Sequence, residues 1–148
     1  MTMIGVSFRE NLREAAMTLL KDYAADVGLN LQTYPGRPRS IQAPCAFVDR
    51  IRESIVYIGP RSRQRTPVLD IVLLHGMFDS ADAVQQADRF VDSFLDWVTN
   101  NYHAAGPNTI VGIVGIEDDP SYVPEWQAPE VQRTYFATTF SLEGFAGE

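Results

Sequence analysis

The sequence predicts the α+β class: a largely antiparallel or mixed sheet of four to five strands, two amphipathic helices packed on one face, and a projecting hairpin. In two segments apolar residues recur at intervals of three and four, which is typical of amphipathic helices. The other apolar segments are short, rich in β-branched and aromatic residues, and bounded by proline or glycine, which is typical of strands. Because 148 residues suffice for one core, we expect a single domain over residues 1–148.

The first helix is predicted over residues 8–27, and both of its ends carry capping signals. Ser7 and Glu10 have the S-x-x-E spacing of a capping box, and Gly28 can adopt the left-handed conformation that ends a helix. The apolar face that we expect to be buried comprises Phe8, Leu12, Ala15, Ala16, Leu19, Leu20, Tyr23 and Val27.

A loop with three prolines and a long hairpin follow the short extended segment 31–34. The loop, "PGRPRSIQAP" at residues 35–44, has little freedom to form a helix. Strands are predicted over residues 45–59 and 67–75, with an arginine-rich turn at 60–66. Both strands exceed the usual length of about five or six residues, so the hairpin should project beyond the core. Alternation would place on one face of the first strand Cys45, Phe47, Ile51, Ile55 and Tyr57.

The stretch "IVLLHGMFDSADAVQQADRF" at residues 71–90 is predicted to end a strand and begin the second helix. Similar letters end a buried strand in α/β-hydrolases, but that fold needs a G-x-S-x-G elbow, and no serine here has glycines at both flanking offsets. We therefore exclude a hydrolase. Asp79 or Ser80 is the expected helix N-cap. The apolar face of this helix comprises Val84, Ala87, Val91, Phe94, Leu95 and Val98.

Two further strands are predicted near the end of the chain, over residues 109–119 and 131–145. The first runs into three neighbouring carboxylates, which either hold a divalent cation or form a solvated strand end. These are Glu117, Asp118 and Asp119. On the second strand, alternation places on one face Phe136, Phe140 and Leu142.

The loop between these strands, "PSYVPEWQAPE" at residues 120–130, is stiffened by three prolines. It carries two large aromatic side chains, Tyr122 and Trp126. Their rings either fold back onto the core of their own chain or anchor a subunit interface, where tyrosine and tryptophan are over-represented.

The sequence lacks the motifs of common catalytic sites, with no P-loop, no G-x-G-x-x-G, no H-E-x-x-H and no paired cysteines. One cysteine and two histidines cannot form a closed zinc site, and they supply few general bases or nucleophiles. We therefore expect neither an enzyme nor a cofactor. Cys45, in "APCAFV", is expected to be a small core residue.

The charge divides unequally along the chain. The net charge of −7 argues against a dedicated nucleic-acid binder. Residues 1–65 carry a net charge of +4, however, whereas residues 66–148 carry −11. Either the charges are spread by chance over solvated faces, or copies attract each other head to tail, which is how unlike surfaces close into rings.

No apolar stretch approaches the roughly 20 residues of a membrane helix. The start of the chain has no basic segment followed by an apolar block, which predicts cytoplasmic synthesis.

Three features taken together identify a possible family. An N-terminal helix leads into the proline-broken stretch "TYPGRPRSIQAPCAFVDR"; a long hairpin precedes the helical "DSADAVQQADRFVDSFLDWV"; and the chain closes on "RTYFATTFSLEG", an R-x-Y-F-A-x-x-F-x-L strand. This arrangement resembles the tail terminator proteins of long-tailed bacteriophages, also called minor tail or tail completion proteins, over nearly the whole chain. The glycines of "IVGIVGIEDD" and the long "DDPSYVPEWQAPE" loop depart from that pattern.

The resemblance implies a non-enzymatic virion protein that forms a hexameric ring on the head-proximal end of the tail tube. There it would end tube polymerisation and offer a docking surface to the head connector. Its partners would be further copies of itself, the tail tube protein and the connector or stopper protein, and DNA would pass through the lumen without specific binding. We would then expect it in the virion tail, and in the host cytoplasm during assembly.

Five arginines are candidates for the contact between subunits or for a docking face: Arg37, Arg39, Arg61, Arg63 and Arg65. Further interface candidates are the acidic and aromatic residues named above, which are Glu117, Asp118, Asp119, Tyr122 and Trp126. The guanidinium group suits protein contacts, but a solvated loop and contact with the DNA backbone remain alternatives. Two other functions also remain open. One is a different head–tail joining protein, such as a stopper or adaptor, and the other is a small metal-dependent enzyme that uses the three neighbouring carboxylates.

Overall fold

The computed structural model describes residues 7–77, 82–101 and 109–145. These ranges contain two α-helices, α1 (Phe8–Val27) and α2 (Ala83–Asn101). They also contain five strands: β1 (Gln32–Tyr34), β2 (Cys45–Gly59), β3 (Ser62–Met77), β4 (Thr109–Tyr122) and β5 (Tyr135–Phe145). Neither helix is long and apolar enough to cross a membrane.

The strands form one mixed sheet in the order β1-β2-β3-β5-β4. β1 runs parallel to β2, and the other neighbours are antiparallel. The connection through α2 carries the chain from β3 to the far edge of the sheet, and β5 then returns between β3 and β4. This mixed sheet with two helices confirms the α+β class.

The helix α1 begins and ends where its capping signals predict. The side-chain oxygen of Ser7 accepts a hydrogen bond from the backbone N–H of Glu10 at 3.1 Å. Gly28 has a φ of 70°, and its N–H donates to the carbonyl of Ala24. A left-handed residue at this point ends the helix and satisfies one of its last carbonyl groups.

Both helices pack on the same face of the sheet and form the main core with it. Tyr23 of α1 lies edge-on to Phe90 and Phe94 of α2, with ring centroids 5.4 and 5.0 Å apart. Phe94 also lies edge-on to Phe140 of β5, at 5.0 Å. As predicted, Phe140 and Leu142 point toward the helices.

The buried face of α2 differs from the predicted one. Val84 and Leu95 are exposed, whereas the buried residues follow spacings of four, three, four and four along the helix. That stripe comprises Ala83, Ala87, Phe90, Phe94 and Val98. The prediction is confirmed for Ala87, Phe94 and Val98, and Val91 packs against the core at the margin of the stripe. It is wrong for Val84 and Leu95 because the buried stripe is narrower than the apolar content of the helix. The proposed N-cap residues, Asp79 and Ser80, lie outside the described residues.

A second apolar cluster lies on the opposite face of the sheet. It consists of Cys45, Phe47, Val72, Leu74, Tyr135 and Ala137. The expectation that Cys45 is a core residue is confirmed. The predicted common face of β2 is wrong, because a bulge between Val48 and Arg50 reverses the alternation. Ile51 therefore packs against the main core instead.

The β2–β3 hairpin extends well beyond the rest of the sheet. Its turn is shorter than predicted, because Gly59 pairs with Ser62 and only Pro60 and Arg61 lie between them. β5 pairs with β3 only from Val68 to Met77, so among the described strands residues 62–67 of β3 pair with β2 alone. The rest of the hairpin is therefore a two-stranded ribbon, as the prediction of a projecting hairpin requires.

The end of the chain departs from its predicted boundaries in two places. β4 continues past residue 119 to Tyr122 and includes Pro120, which an edge strand tolerates because its outer side needs no N–H donor. Residues 129–131 form a short 3₁₀ helix at the end of the predicted loop, and β5 begins at Tyr135 instead of at residue 131. The predicted loop is therefore shorter at its start and longer at its end.

Candidate assembly surface

The ribbon of the β2–β3 hairpin exposes apolar side chains on both of its faces. Tyr57 is 76% exposed and Ile58 is 68% exposed, and Ile55 and Val56 are also exposed. Each strand alternates its side chains between two faces, and no third strand among the described residues pairs with this part of the ribbon. These exposed apolar side chains make the ribbon a candidate interaction surface.

The three hairpin arginines do not form one group at the tip. Arg61 lies in the turn and Arg63 lies in β3, and both are exposed and without an ion pair among the described residues. Arg65 instead holds Glu53 of β2 through two hydrogen bonds of 2.7 Å. Its guanidinium also lies over the ring of Phe8, 4.4 Å from the centroid. Arg61 and Arg63 are therefore available to a partner, whereas Arg65 is already engaged.

Glu53 is the centre of a clamp at the base of the ribbon. Its carboxylate, which is 5% exposed, also accepts a hydrogen bond of 3.0 Å from Arg9 of α1. The hydrogen bond from Arg65 lowers the pKa of Glu53, although burial acts in the opposite direction. The clamp ties the ribbon to the first turn of α1.

The proline loop and the segment after β4 cover the second apolar cluster together. The indole N–H of Trp126 donates to the carbonyl of Pro38 at 3.0 Å, and the amide of Gln127 donates to the carbonyl of Arg39 at 3.2 Å. Arg37 lies 5.1 Å from the centroid of the Trp126 ring and pairs with Asp49 at 2.9 Å. The two segments thus hold each other.

The aromatic rings of Tyr122 and Trp126 pack against the core of their own chain. Trp126 packs edge-on against Phe47, with centroids 5.2 Å apart, and Tyr122 packs against the same cluster. Burial raises the pKa of Tyr122 to about 12. Both rings fold back onto their own chain, and each keeps a partly exposed edge. Of the two loop arginines, Arg39 has an exposed side chain without an ion pair among the described residues.

Replacing Trp126 with phenylalanine should lower the free energy of unfolding by about 1–2 kcal/mol, because the buried carbonyl of Pro38 loses its donor while most of the ring packing remains. Urea unfolding measures the change. Tyr122→Phe is the control, since no described residue accepts a hydrogen bond from its hydroxyl. Equal losses in the two variants would show that the hydrogen bond between the segments contributes nothing.

The three neighbouring carboxylates do not converge on a common point. Asp118 faces the helix side of the sheet and accepts a hydrogen bond of 2.9 Å from Thr138. Glu117 and Asp119 lie on the other side, and Asp119 accepts from the backbone N–H of Ser121. Among the described residues no group of three His, Cys, Asp or Glu side chains could hold a metal ion. This geometry supports the solvated strand end.

A buried carboxylate on β3 organises two further arginines. Asp70 is 4% exposed and accepts hydrogen bonds of 2.6 Å from Arg50, 2.9 Å from Arg52 and 3.0 Å from Ser141. Burial alone would raise the pKa of Asp70, but these hydrogen bonds outweigh it and lower the pKa. Two guanidinium groups share one carboxylate, so this part of β2 keeps a positive charge.

An open cavity of about 350 Å³ lies between the two helices and the sheet. His75 lines it and is buried, and its Nε2 lies 2.8 Å from the hydroxyl of Thr138. Thr138 donates its one proton to Asp118, so Nε2 of His75 must carry a proton. Burial lowers the pKa of His75 to about 4, partly offset by Asp118. The ring is therefore a neutral structural donor.

Sequence reasoning missed Asp70 and the two arginines that bind it. A single carboxylate in the apolar strand "PVLDIVLLH" was a visible signal, as was the alternation in "DRIRE". Both strands were predicted, but the pairing of Arg50 with Asp70 depends on the two-residue turn and on the bulge.

No known family model matches this chain. A comparison with curated proteins also found no relative.

Proposed function

We propose that this chain is a structural component of a bacteriophage tail, a tail terminator that forms a ring on the head-proximal end of the tail tube. As a ring it ends tube polymerisation and presents a docking surface to the head connector. The ring is built from copies of this chain, and DNA passes through its lumen without specific binding.

One observation carries the proposal: the two opposite edges of the sheet have unlike surfaces. The β2 side holds the exposed apolar ribbon and four arginines that contribute positive charge, and the far side is β4 with its three carboxylates. The arginines are Arg50, Arg52, Arg61 and Arg63. Unlike and complementary surfaces on opposite sides favour head-to-tail contacts, which close into rings when the rotation permits. The resemblance of the sequence to tail terminators supplies the particular role.

The acidic strand end gives little support to a metal-dependent enzyme. Its neighbouring carboxylates point to opposite sides of the sheet, and two of them accept hydrogen bonds from their own chain. The buried Asp70 is likewise occupied by two arginines and a serine. These carboxylates have structural partners instead of a common open site.

Negative-stain imaging and light scattering of the purified chain, alone and mixed with tail tube subunits encoded beside it, test the proposal. We expect rings on one end of each tube and shorter tubes than without the chain. A chain that stays monomeric both alone and in the mixture would contradict the proposal. Binding to a connector or portal protein without binding to tubes would indicate a stopper or adaptor instead.

The charge of the ribbon should matter for this association. Replacing Arg61 and Arg63 with glutamate should weaken ring formation or tube binding. Added salt should weaken the same association of the unmodified protein, because exposed charges attract less when screened. The matched control replaces Lys21 and Arg133 with glutamate, since both are exposed and lie away from the ribbon. Light scattering across a salt series measures both effects, and equal loss in the two variants would remove the role of the ribbon.

A further inference from the structure

The sheet leaves two strand edges without a neighbour among the described residues. β1 pairs with β2 only along Cys45–Phe47, so the outer edge of β2 is unpaired beyond that point. β4 pairs with β5 alone, so its outer edge is unpaired as well. Unpaired edges expose N–H and C=O groups that can pair with another strand.

The two outermost strands of the sheet, β1 and β4, differ in how their edges are protected. Natural edge strands are often short or carry lysine, and β1 is a short edge strand of three residues. By contrast, β4 has 14 residues and exposes Val114 and Ile116, which are 57% and 40% exposed. Its three bulges lie along the pairing with β5. Pro120 and the neighbouring carboxylates protect the end of β4, whereas its middle exposes apolar side chains that a partner strand could cover.

A second copy of this chain offers the complementary edge. If an antiparallel ladder places Ile116 of one copy opposite Ile55 of the next, Asp119 comes opposite Arg52. Ile116 and Ile55 both lie on the helix side of their sheets, and Asp119 and Arg52 both lie on the other side. The same ladder therefore joins apolar to apolar at Ile116 and acid to base at Asp119. It also brings Asp118 opposite Glu53, whose carboxylate is already bound by Arg9 and Arg65, so their guanidinium groups offset the repulsion between the two acids.

The direction of the strands allows this ladder to repeat around a ring. β2 runs opposite to β3, β5 runs opposite to β3, and β4 runs opposite to β5. β2 and β4 are therefore antiparallel within one copy. Rotation about an axis roughly parallel to the strands preserves their directions, so β4 of one copy meets β2 of the next in antiparallel orientation with the helices on the same side.

We infer that neighbouring copies join through their sheets, with the outer edge of β4 in one copy pairing antiparallel with the outer edge of β2 in the next. The contact places Ile116 beside Ile55, and it places Glu117 and Asp119 beside Arg52. This inference rests on the proposed function for its ring geometry, but the contact is defined by the two edges themselves.

Chemical cross-linking between two variants that each carry one added cysteine tests the contact. Ser54 and Glu117 come opposite each other in this ladder, so we would prepare Ser54→Cys and Glu117→Cys separately and mix them with a short bis-maleimide at low salt. We expect cross-linked dimers in the mixture and none in either variant alone, because in one variant alone each added cysteine faces an unmodified residue of the neighbouring copy. The native Cys45 should not react, because burial raises the pKa of its thiol to about 11.

Two results would overturn the inference. One is a mixture that gives no dimer, and the other is a dimer that forms equally well in one variant alone, which would indicate a symmetric contact.

A second measurement does not depend on cysteine chemistry. Ile116→Lys should abolish oligomers in light scattering, whereas Val131→Lys, at an exposed apolar position away from both edges, should retain them. Circular dichroism checks that both variants fold.

The outcomes separate this contact from the proposed function. Cross-links without any effect on tail tube growth would support the edge contact and remove the terminator role. Rings on tube ends without the cross-link would support the terminator role and remove the edge contact.

Discussion

Replacing both Arg50 and Arg52 with alanine is expected to lower the free energy of unfolding at neutral pH more than either single replacement does. The two arginines are largely exposed, but they neutralise the carboxylate of Asp70, which is 5% exposed. Without them, Ser141 is the one side chain described as donating to Asp70. A buried carboxylate without a cation is costly.

Urea unfolding of three variants would establish the cause. The double variant should be the least stable, and adding Asp70→Asn to it should restore most of the loss, because the uncompensated charge is then absent. Arg50→Ala alone should cost less, because Arg52 still binds Asp70 at 2.9 Å. If adding Asp70→Asn lowered the stability further, packing by the arginine side chains would be the main contribution.

The pH dependence of these variants has a definite sign. In the unmodified protein the pKa of Asp70 is lowered, so its contribution to stability is present above the unfolded pKa of 3.8 and is lost as the pH falls through the folded pKa. In the double variant the arginines are absent, so burial raises the pKa of Asp70. The double variant should therefore lose less stability relative to the unmodified protein as the pH falls and Asp70 becomes protonated.

His75 should make the protein less stable in mildly acidic solution. Its pKa is about 4 in the folded chain and 6.5 in the unfolded chain, so the unfolded state binds the proton more readily. Stability should be fully present above 6.5 and fall as the pH decreases toward 4. The difference between the two pKa values corresponds to about 3 kcal/mol.

The variant His75→Gln isolates this titration. The glutamine amide can donate to Thr138 as Nε2 of the imidazole does, but it does not titrate. Urea midpoints measured across the same pH window should therefore change much less in this variant than in the unmodified protein. An unchanged pH slope would assign the loss of stability to other groups.

The sequence was sufficient to predict the elements of this fold but not all of their faces. The capping residues of α1 act locally, so Ser7 and Gly28 marked its ends correctly. The bulge after Val48 could not be foreseen, because it depends on how β2 pairs with β3. For the same reason the faces of Ile51, Ile55 and Tyr57 relative to Cys45 were predicted incorrectly.

The candidate surface shows the same division between local and long-range information. The length of the hairpin and the charge of its arginines were visible in the sequence. The ion pair between Arg65 and Glu53 was not visible in the sequence, because the two residues lie on different strands of the ribbon. The contact of Trp126 with Pro38 joins residues that are far apart in the chain, and no local pattern encodes it.

The clamp at Glu53 also determines how the ribbon behaves mechanically. From Glu53 to the turn at Gly59 the ribbon reaches roughly 20 Å, at about 3.3 Å for each residue. Its base is fastened to α1 by Arg9 and by the Arg65 guanidinium over Phe8. The clamp thus couples the direction of the ribbon to the position of the first helical turn, and any rotation at the clamp displaces the tip further than the base.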